Sequence, residues 1–361
     1  MRSLTRTADF IGQVFYIGID THKRNWKVSI RTRDLHLKTF SMDPSPEQLK
    51  KHMNQHYPNG TYKSVYEAGF CGYWIHRMLT LYNIENIIVN PADVPSTNKE
   101  RDRKSDPIDS AKLSRELANN SLTGIFVPDI HHEALRCLHR LYEQNTQRTT
   151  QLKNRIKGYL HFVGIKLPEK FDKSYWSNNF VKFLSDISFA DTLYRTVMDA
   201  YITDFNIARK NRNSLLRQII EVSKDVPEIQ LLTTVPGVGS LTAFTLYSEL
   251  VDINRFRNFD HLASYVGLVP STYSSDTTVL VGGVTQRHCS HLRSTLIESS
   301  WIAIHNDEAL LYAYNKLIQH MKKTDAIIRI AKKLLNRIRF VWKNKTEYVK
   351  GVVAVELAPT T

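Results

Sequence analysis

Four acidic residues in the first third of the chain sit where metal-dependent phosphoryl chemistry would need them. Phe15-Tyr16-Ile17-Gly18-Ile19-Asp20 is an apolar run that ends in one carboxylate and passes into the polar Thr21-His22-Lys23. Its β-branched and aromatic content is that of a buried strand, so Asp20 falls at the mouth of a sheet. Ser64-Val65-Tyr66-Glu67-Ala68-Gly69 repeats the design with Glu67 as its acid. Ser105-Asp106-Pro107-Ile108-Asp109-Ser110 then opens a helix, with Asp106 and Asp109 one turn apart on one face. Carboxylates are hard oxygen donors for divalent cations. Converged, the four would hold a pair of Mg²⁺ ions, which in such sites lie about 3.5–4 Å apart and activate oxygens for phosphodiester chemistry. Plainer readings exist for each piece: a strand-final acid is commonly a loop residue, Asp106 before Pro107 suits a helix N-cap, and Asp109 stands where a capping-box partner would. Capping and metal binding both want carboxylates exposed at a helix start, so the two are compatible.

The elements around these acids follow an α/β order. Residues 14–20, 26–31 and 37–41 read as a three-strand meander, and Ser45-Pro46 starts a helix with a Ser cap and Pro in its first position. A strand over 63–67, a helix over 72–82 and a strand over 86–90 closed by Pro91 come next. Three strands, a helix, then alternating strands and helices is the ribonuclease H-like order, which the sugar-kinase and actin superfamily shares. Between the last strand and the Asp pair, Asn98-Lys99-Glu100-Arg101-Asp102-Arg103-Lys104 is a cation-rich loop. Such a loop is either a solvated charged connection or, beside a carboxylate cluster, a phosphate clamp using Arg101, Arg103 and Lys104.

The remainder is predominantly helical. Two long stretches, 131–163 and 191–222, carry apolar stripes and suit an antiparallel or intermolecular helical pair. Between them Phe171, Tyr175, Trp176, Phe180 and Phe183 alternate with lysines; a small hydrophobic core is favoured over base stacking. Val235-Pro236-Gly237-Val238-Gly239 joins two helices in the manner of a helix-hairpin-helix, in which Gly237 and Gly239 let backbone N–H groups approach a phosphate. The alternative is a plain tight turn. A helix ending at Gly267 is followed by Ser271 to Thr278, expected as an exposed hydroxyl-rich turn, and then by a helix carrying His291, Leu292 and Arg293. Residues 301–342 are helical and increasingly basic, and the chain from about Val352 reads as a frayed tail. The expected division is 14–125 for the α/β domain, 126–225 for a helical, coiled-coil region, 226–345 for a C-terminal mostly helical domain and 346–361 for a tail.

Composition narrows the partners. With 361 residues the chain can build two or three cores, and a net charge of +14 suits nucleic acid or an acidic surface. No apolar run reaches the length of a bilayer span. Met1 to Arg6 leads into a segment broken by Gln13 and Asp20, a poor signal peptide, and three scattered cysteines form no disulfide or zinc pattern. The cytoplasm of a bacterium or archaeon is the expected compartment.

Taken together, Tyr16 to Lys23, Tyr66 to Gly69, Lys104 to Ala111, Val235 to Gly239, Tyr265 to Ser275 and His291-Leu292-Arg293 occur in the order of one family. On these motifs, which span nearly the whole chain, the protein resembles the insertion-sequence transposases of the DEDD-plus-serine class, the bridge-RNA-guided recombinases, with Piv-type DNA invertases as relatives. The resemblance implies a RuvC-like domain of the ribonuclease H fold holding Asp20, Glu67, Asp106 and Asp109, with Mg²⁺ as cofactor, and a second domain whose Ser275 is the nucleophile. Arg101, Arg103, Lys104, Gly237, Gly239 and Arg293 are the expected nucleic-acid contacts. Family members usually have Gly after the serine, where this chain has Asp276, which leaves Ser274 as the fallback nucleophile. The implied partners are donor and target double-stranded DNA, a noncoding guide RNA and further copies of the chain in a dimer or tetramer. The rival readings are a hydrolytic RuvC-like junction nuclease, an invertase acting without guide RNA, a sugar-kinase-like phosphotransferase and a non-catalytic nucleic-acid binder.

Overall fold

A computed structural model describes residues 9–95, 106–171, 175–275, 278–284 and 289–351; for 106, 107, 270–275 and 278–284 the description covers the backbone alone. Residues Met1–Val127 and Pro128–Thr361 form two compact units.

The first unit is a five-stranded mixed sheet. Strands β1 (Val14–Thr21), β2 (Trp26–Arg31), β3 (His36–Met42), β4 (Thr61–Glu67) and β5 (Glu85–Val89) lie in the order β3-β2-β1-β4-β5. The first three pair antiparallel as a meander; β4 joins β1 in parallel, and β5 joins β4 in parallel. Helices α1 (Pro46–His56) and α2 (Trp74–Leu81) supply the crossovers, α1 starting as expected with the Ser45 side chain accepting from the Gln48 amide. Period-two alternation then sorts the strands: Phe15, Ile17, Ile19, Trp26, Val28 and Ile30 pack with Leu49, Met53, Ile75 and Leu79 in one core. The opposite face takes α3 (Asp106–Ala118), whose Leu113 and Leu117 meet Val65, Val89 and Tyr16.

The approach of α3 to β1 is set by a missing side chain. A Cβ placed on Gly18 would lie 2.0 Å from the Ser110 carbonyl oxygen and 2.5 Å from the Ser114 amide nitrogen. Next to this contact the buried Ser29 and Ser110 hydroxyls hydrogen bond at 3.1 Å, so neither is left unpaired where helix and sheet meet. Tyr16 packs near Leu113 and Leu117, and Gly18 two residues later abuts Ser110 and Ser114. The helix therefore runs against the direction of β1, with its first turn toward the C-terminal ends of β1 and β4.

The second unit is helical, with one exception. Helices α4 (Ile130–Phe162) and α6 (Thr192–Lys224) pack side by side, with Leu152, Ile156 and Leu160 against Met198, Ile202 and Phe205. Tyr159 donates to the Tyr194 carbonyl while Leu135 and Ile219 share a core at the other end, so the pair is antiparallel within one chain. Helix α5 (Asn178–Asp186) closes the first of these ends: Trp176, Phe180 and Leu184 are buried, the small core expected of the aromatic stretch, while Tyr175 stays exposed. The larger core gathers α7 (Pro227–Leu232), α8 (Ser240–Leu250), α9 (Phe259–Val266), α10 (Ser290–Asn306), α11 (Glu308–Ile318) and α12 (Lys323–Asn344). Helix α9 ends as its sequence predicts, with Gly267 left-handed at φ 83°.

The exception corrects the sequence reading. The hydroxyl-rich stretch is not a turn: Pro270–Ser275 is strand β6, paired antiparallel with β7 (Thr278–Val284). Thr272, Tyr273 and the Val279-Leu280-Val281 run have the β-branched and aromatic character that favours strands, and pairing outweighs the turn bias of the serines. A test of the helix-on-sheet contact uses two glycines. Gly18→Ala is expected to destabilise the protein by about 2–3 kcal/mol through overpacking, read as a lower urea midpoint, while Gly69→Ala, with nothing within 4 Å of its added Cβ, leaves the midpoint unchanged.

Candidate functional site

The backbone places the described acids toward one end of the sheet. Ile19 pairs with Tyr66 across the parallel β1–β4 ladder, so Asp20 and Glu67 are the next residues on adjacent strands. Alternation puts both on the side that carries Gly18, Val65 and α3. The helix reaches that same end with its first turn, where Asp109 follows Asp106 by three residues. The backbone thus brings the four sequence-predicted acids to one sheet edge and one helix start; the side chain of Asp106 lies outside the described residues. Two of these acids have a polar side chain close by. His22 Nε2 lies 3.2 Å from Asp20 Oδ2, and Lys112 Nζ lies 3.6 Å from Asp109 Oδ1. Neither partner was assigned from the sequence, although a residue two positions along a strand, or three along a helix, shares the face.

All four acids offer hard oxygen donors, the set that suits Mg²⁺ over softer metals. Among the described residues no group of three or more metal-ligating side chains is gathered closely enough to hold an ion. The donor chemistry fits a divalent cation, and the Asp106 carboxylate lies outside the described residues.

The second unit carries the serine. Ser275 is the last residue of β6 and pairs with Thr278, the first of β7, so it stands at the far end of the ribbon from Pro270. Ser274 pairs with Val279, one step back. Asp276 lies outside the described residues, as do Arg101, Arg103 and Lys104. Gly237 has φ 80°, and a Cβ there would come 2.2 Å from the Ser299 carbonyl oxygen of α10. Close packing on a helix backbone is thus sufficient reason for the glycine, whatever else its amide meets. Gly239 is exposed and forms the N-cap of α8, with no side-chain cap on that helix. Arg293 is half-buried in the first turn of α10, and burial pulls its pKa down.

Beneath the start of α10 lies a polar cluster that the sequence reading passed over. Arg136 donates to the carbonyls of Ser248 and Glu249 at 2.9 and 2.8 Å, satisfying the C-terminal end of α8. The Glu249 carboxylate, 1% exposed, accepts from Arg140 at 3.1 Å and lies 3.5 Å from Arg136. His139 Nε2 is 2.8 Å from Thr245 Oγ1, whose own proton goes to the Leu241 carbonyl; the ring must therefore be the donor, in its Nε2–H form. Burial brings His139 down to about 4, so it is neutral at pH 7. On the rim, His291 contacts Glu143, whose carboxyl burial pushes up against the pull of that histidine. The signal was present in the sequence: a lone acid, Glu249, in the apolar run Leu241 to Leu250, and Arg136, His139, Arg140 and Glu143 at helical spacing.

Both regions are covered by models of one family. A model described as "Transposase", of the IS110 DEDD type, matches residues 17–165, and one described as "Transposase IS116/IS110/IS902 family" matches residues 229–315. Over both regions the chain is similar to the IS110/IS116 transposase family. The first match includes Asp20, Glu67, Asp106 and Asp109, and the second includes Ser275 and Arg293. Among curated relatives, the chain is 26% identical over 323 residues to the y4rJ protein of Sinorhizobium fredii, covering 81% of this chain and 78% of that one. The y4qE protein of the same organism is 26% identical over 237 residues, covering 65% and 57%. A transposase for insertion sequence element IS1111A of Coxiella burnetii is 23% identical over 237 residues, covering 65% and 64%. Two of these three matches thus span less than two thirds of the relative's length. Among the described residues no helix is long and apolar enough to cross a membrane.

His139 makes stability depend on pH in a defined direction. With its folded pKa below the ordinary 6.5, the unfolded chain takes up a proton between about pH 6.5 and 4 that the folded one refuses, so this group removes stability as pH falls. Glu143, shifted upward, works in the opposite sense. Thermal melts at pH 7 and pH 5 are expected to show a smaller acid-induced loss for His139→Gln than for the unaltered protein, by roughly 2 kcal/mol.

Proposed function

We propose that the protein is the transposase of an insertion sequence, a site-specific DNA recombinase that cleaves and exchanges strands with a serine nucleophile and a divalent-metal carboxylate site. The observation that supports this best is the placement of Asp20, Glu67 and the Asp106–Asp109 turn at one end of the first unit's sheet. The strand order β3-β2-β1-β4-β5, with β2 antiparallel to both of its neighbours, favours a ribonuclease H-like, RuvC-like domain for it. In this reading Asp20, Glu67, Asp106 and Asp109 hold two Mg²⁺ ions, which when bound neutralise charge on the scissile phosphate and its leaving oxygen.

Ser275 Oγ forms a bond to phosphorus as the strand's P–O bond breaks; the hydroxyl gives up its proton, and the sugar oxygen that leaves takes one up. A hydroxyl of another strand then attacks the phosphoserine and releases the serine, so bond energy is conserved without ATP. The chain works as a dimer or tetramer. His22 and Lys112 hold Asp20 and Asp109 in place until the ligands are engaged. Double-stranded donor and target DNA are the substrates. A noncoding guide RNA selects them by base pairing, with the protein reading backbone and shape. Helices α7 and α8 with Gly237 and Gly239 would serve as a helix-hairpin-helix contact to phosphate, and Arg101, Arg103, Lys104 and Arg293 as further contacts.

Cleavage of element-end DNA in Mg²⁺ is expected to fall at least about a thousandfold in Asp20→Asn and in Ser275→Ala. The unaltered protein should leave a DNA adduct that survives denaturation and is lost in Ser275→Ala but kept in Ser274→Ala. Undiminished cleavage by Ser275→Ala with water as nucleophile would instead identify a junction nuclease. RNA sequencing of the protein purified with its flanking DNA present should recover one abundant transcript from the element; its absence would favour an invertase working without a guide.

A further inference from the structure

The antiparallel helices α4 and α6 carry a charge distribution that the fold does not explain. From Gln144 to Pro168 and from Phe205 to Ile220 the sequence has no Asp or Glu. Within these stretches α4 presents Arg148, Lys153, Arg155 and Lys157, and α6 presents Arg209, Lys210, Arg212 and Arg217. The antiparallel packing brings the two sets together. Lys153 has its charge disfavoured first by burial and then by Arg212, Arg209 and Lys157. Solvated helix faces ordinarily interleave acids at three- or four-residue spacing, and like charges at that spacing cost a few tenths of a kcal/mol each. Here the helices bear that cost along several turns.

The same stretches hold the neutral donors that accompany phosphate contacts. A groove of about 290 Å³ is lined by Asn206, Arg209, Lys210, Asn213 and Arg217. A second, of about 350 Å³, is lined by Gln144, Gln147, Arg148, Gln151 and Arg155, with Asp204 as its one acid. Arg148, Arg155, Lys210 and Arg217 are exposed, and no ion pair engages them among the described residues. From Gln144 to Lys157 the helix rises about 20 Å at 1.5 Å per residue, the axial length of about six base pairs of duplex at 3.4 Å each.

We propose that this hairpin face is a sequence-independent docking surface for the phosphodiester backbone of a DNA duplex. Amides and guanidinium groups with a single acid, Asp204, among the residues lining the two grooves suit phosphate oxygens and give no reading of bases. A second copy of the hairpin would bring like charge to like charge, which this surface disfavours. The face is defined by its charge and not by the catalytic assignment, so the two can fail separately.

The test is equilibrium binding of the full chain to a labelled DNA duplex of arbitrary sequence, and to an RNA duplex of the same length, across a salt series. Arg148→Gln, Arg155→Gln, Lys210→Gln and Arg217→Gln combined should weaken binding at least tenfold at low salt. The slope of log K against log salt should shrink by about 3–4, at about 0.9 for each phosphate that is no longer neutralised. Circular dichroism should be unchanged. Weaker binding to the DNA duplex supports the proposal, and a weakening confined to the RNA duplex would overturn it. As a control, Lys322, Lys323, Lys343 and Lys345, exposed elsewhere in the unit, are changed to Gln together. Unchanged affinity and slope in the hairpin variant would overturn the proposal, and so would an equal weakening in the control, which would reduce the effect to net charge.

Discussion

The first unit depends on a contact that only glycine permits, the seating of α3 on β1 at Gly18. With no Cβ between them, the helix backbone rests almost on the strand, and the Ser29–Ser110 hydrogen bond closes the remaining polar gap. This contact fixes the position of the helix along the strand as well as its distance. A slip of one turn would carry the first turn of α3 by about 5.4 Å, enough to take Asp109 away from the strand ends that bear Asp20 and Glu67. The placement of the acids is therefore a consequence of packing decided two residues earlier in β1.

The two units handle buried and crowded charge differently. At the sheet edge Asp20 and Asp109 stay partly exposed, with His22 and Lys112 beside them. In the second unit Glu249 is sealed from solvent and held by two arginines, one of which also satisfies the end of α8. An arrangement of that kind, once formed, is costly to break because removing either partner strands a charge. It pins α4 to α8 as structure, whereas the acids at the sheet edge remain available for exchange.

Much of this was legible in the sequence because the signals were local. An apolar run stopped by one acid announced β1 and β4, and Ser45-Pro46 and Gly267 marked a helix start and a helix end whose caps formed as read. Trp176 and Phe180 went to a core because large aromatics gain more by burial than by exposure. What was missed is non-local. Arg136 finds Glu249 across 113 residues of chain, a distance at which helical spacing gives no information. The serine ribbon was hidden for a related reason: serine and threonine favour turns when considered alone, and only pairing with 278–284 makes the segment a strand. His22 and Lys112 were visible but unweighed, since their value depends on carboxylates that only the fold brings near.

Among the described residues the ribbon β6–β7 has two strands and no third beside it. Two strands alone are only marginally stable in water, so such a ribbon cannot by itself fix an atom at its far end to the tolerance that in-line displacement demands. Whatever surface it leans on supplies that rigidity. In the proposed reaction, the reach of Ser275 is therefore set by what the ribbon rests against.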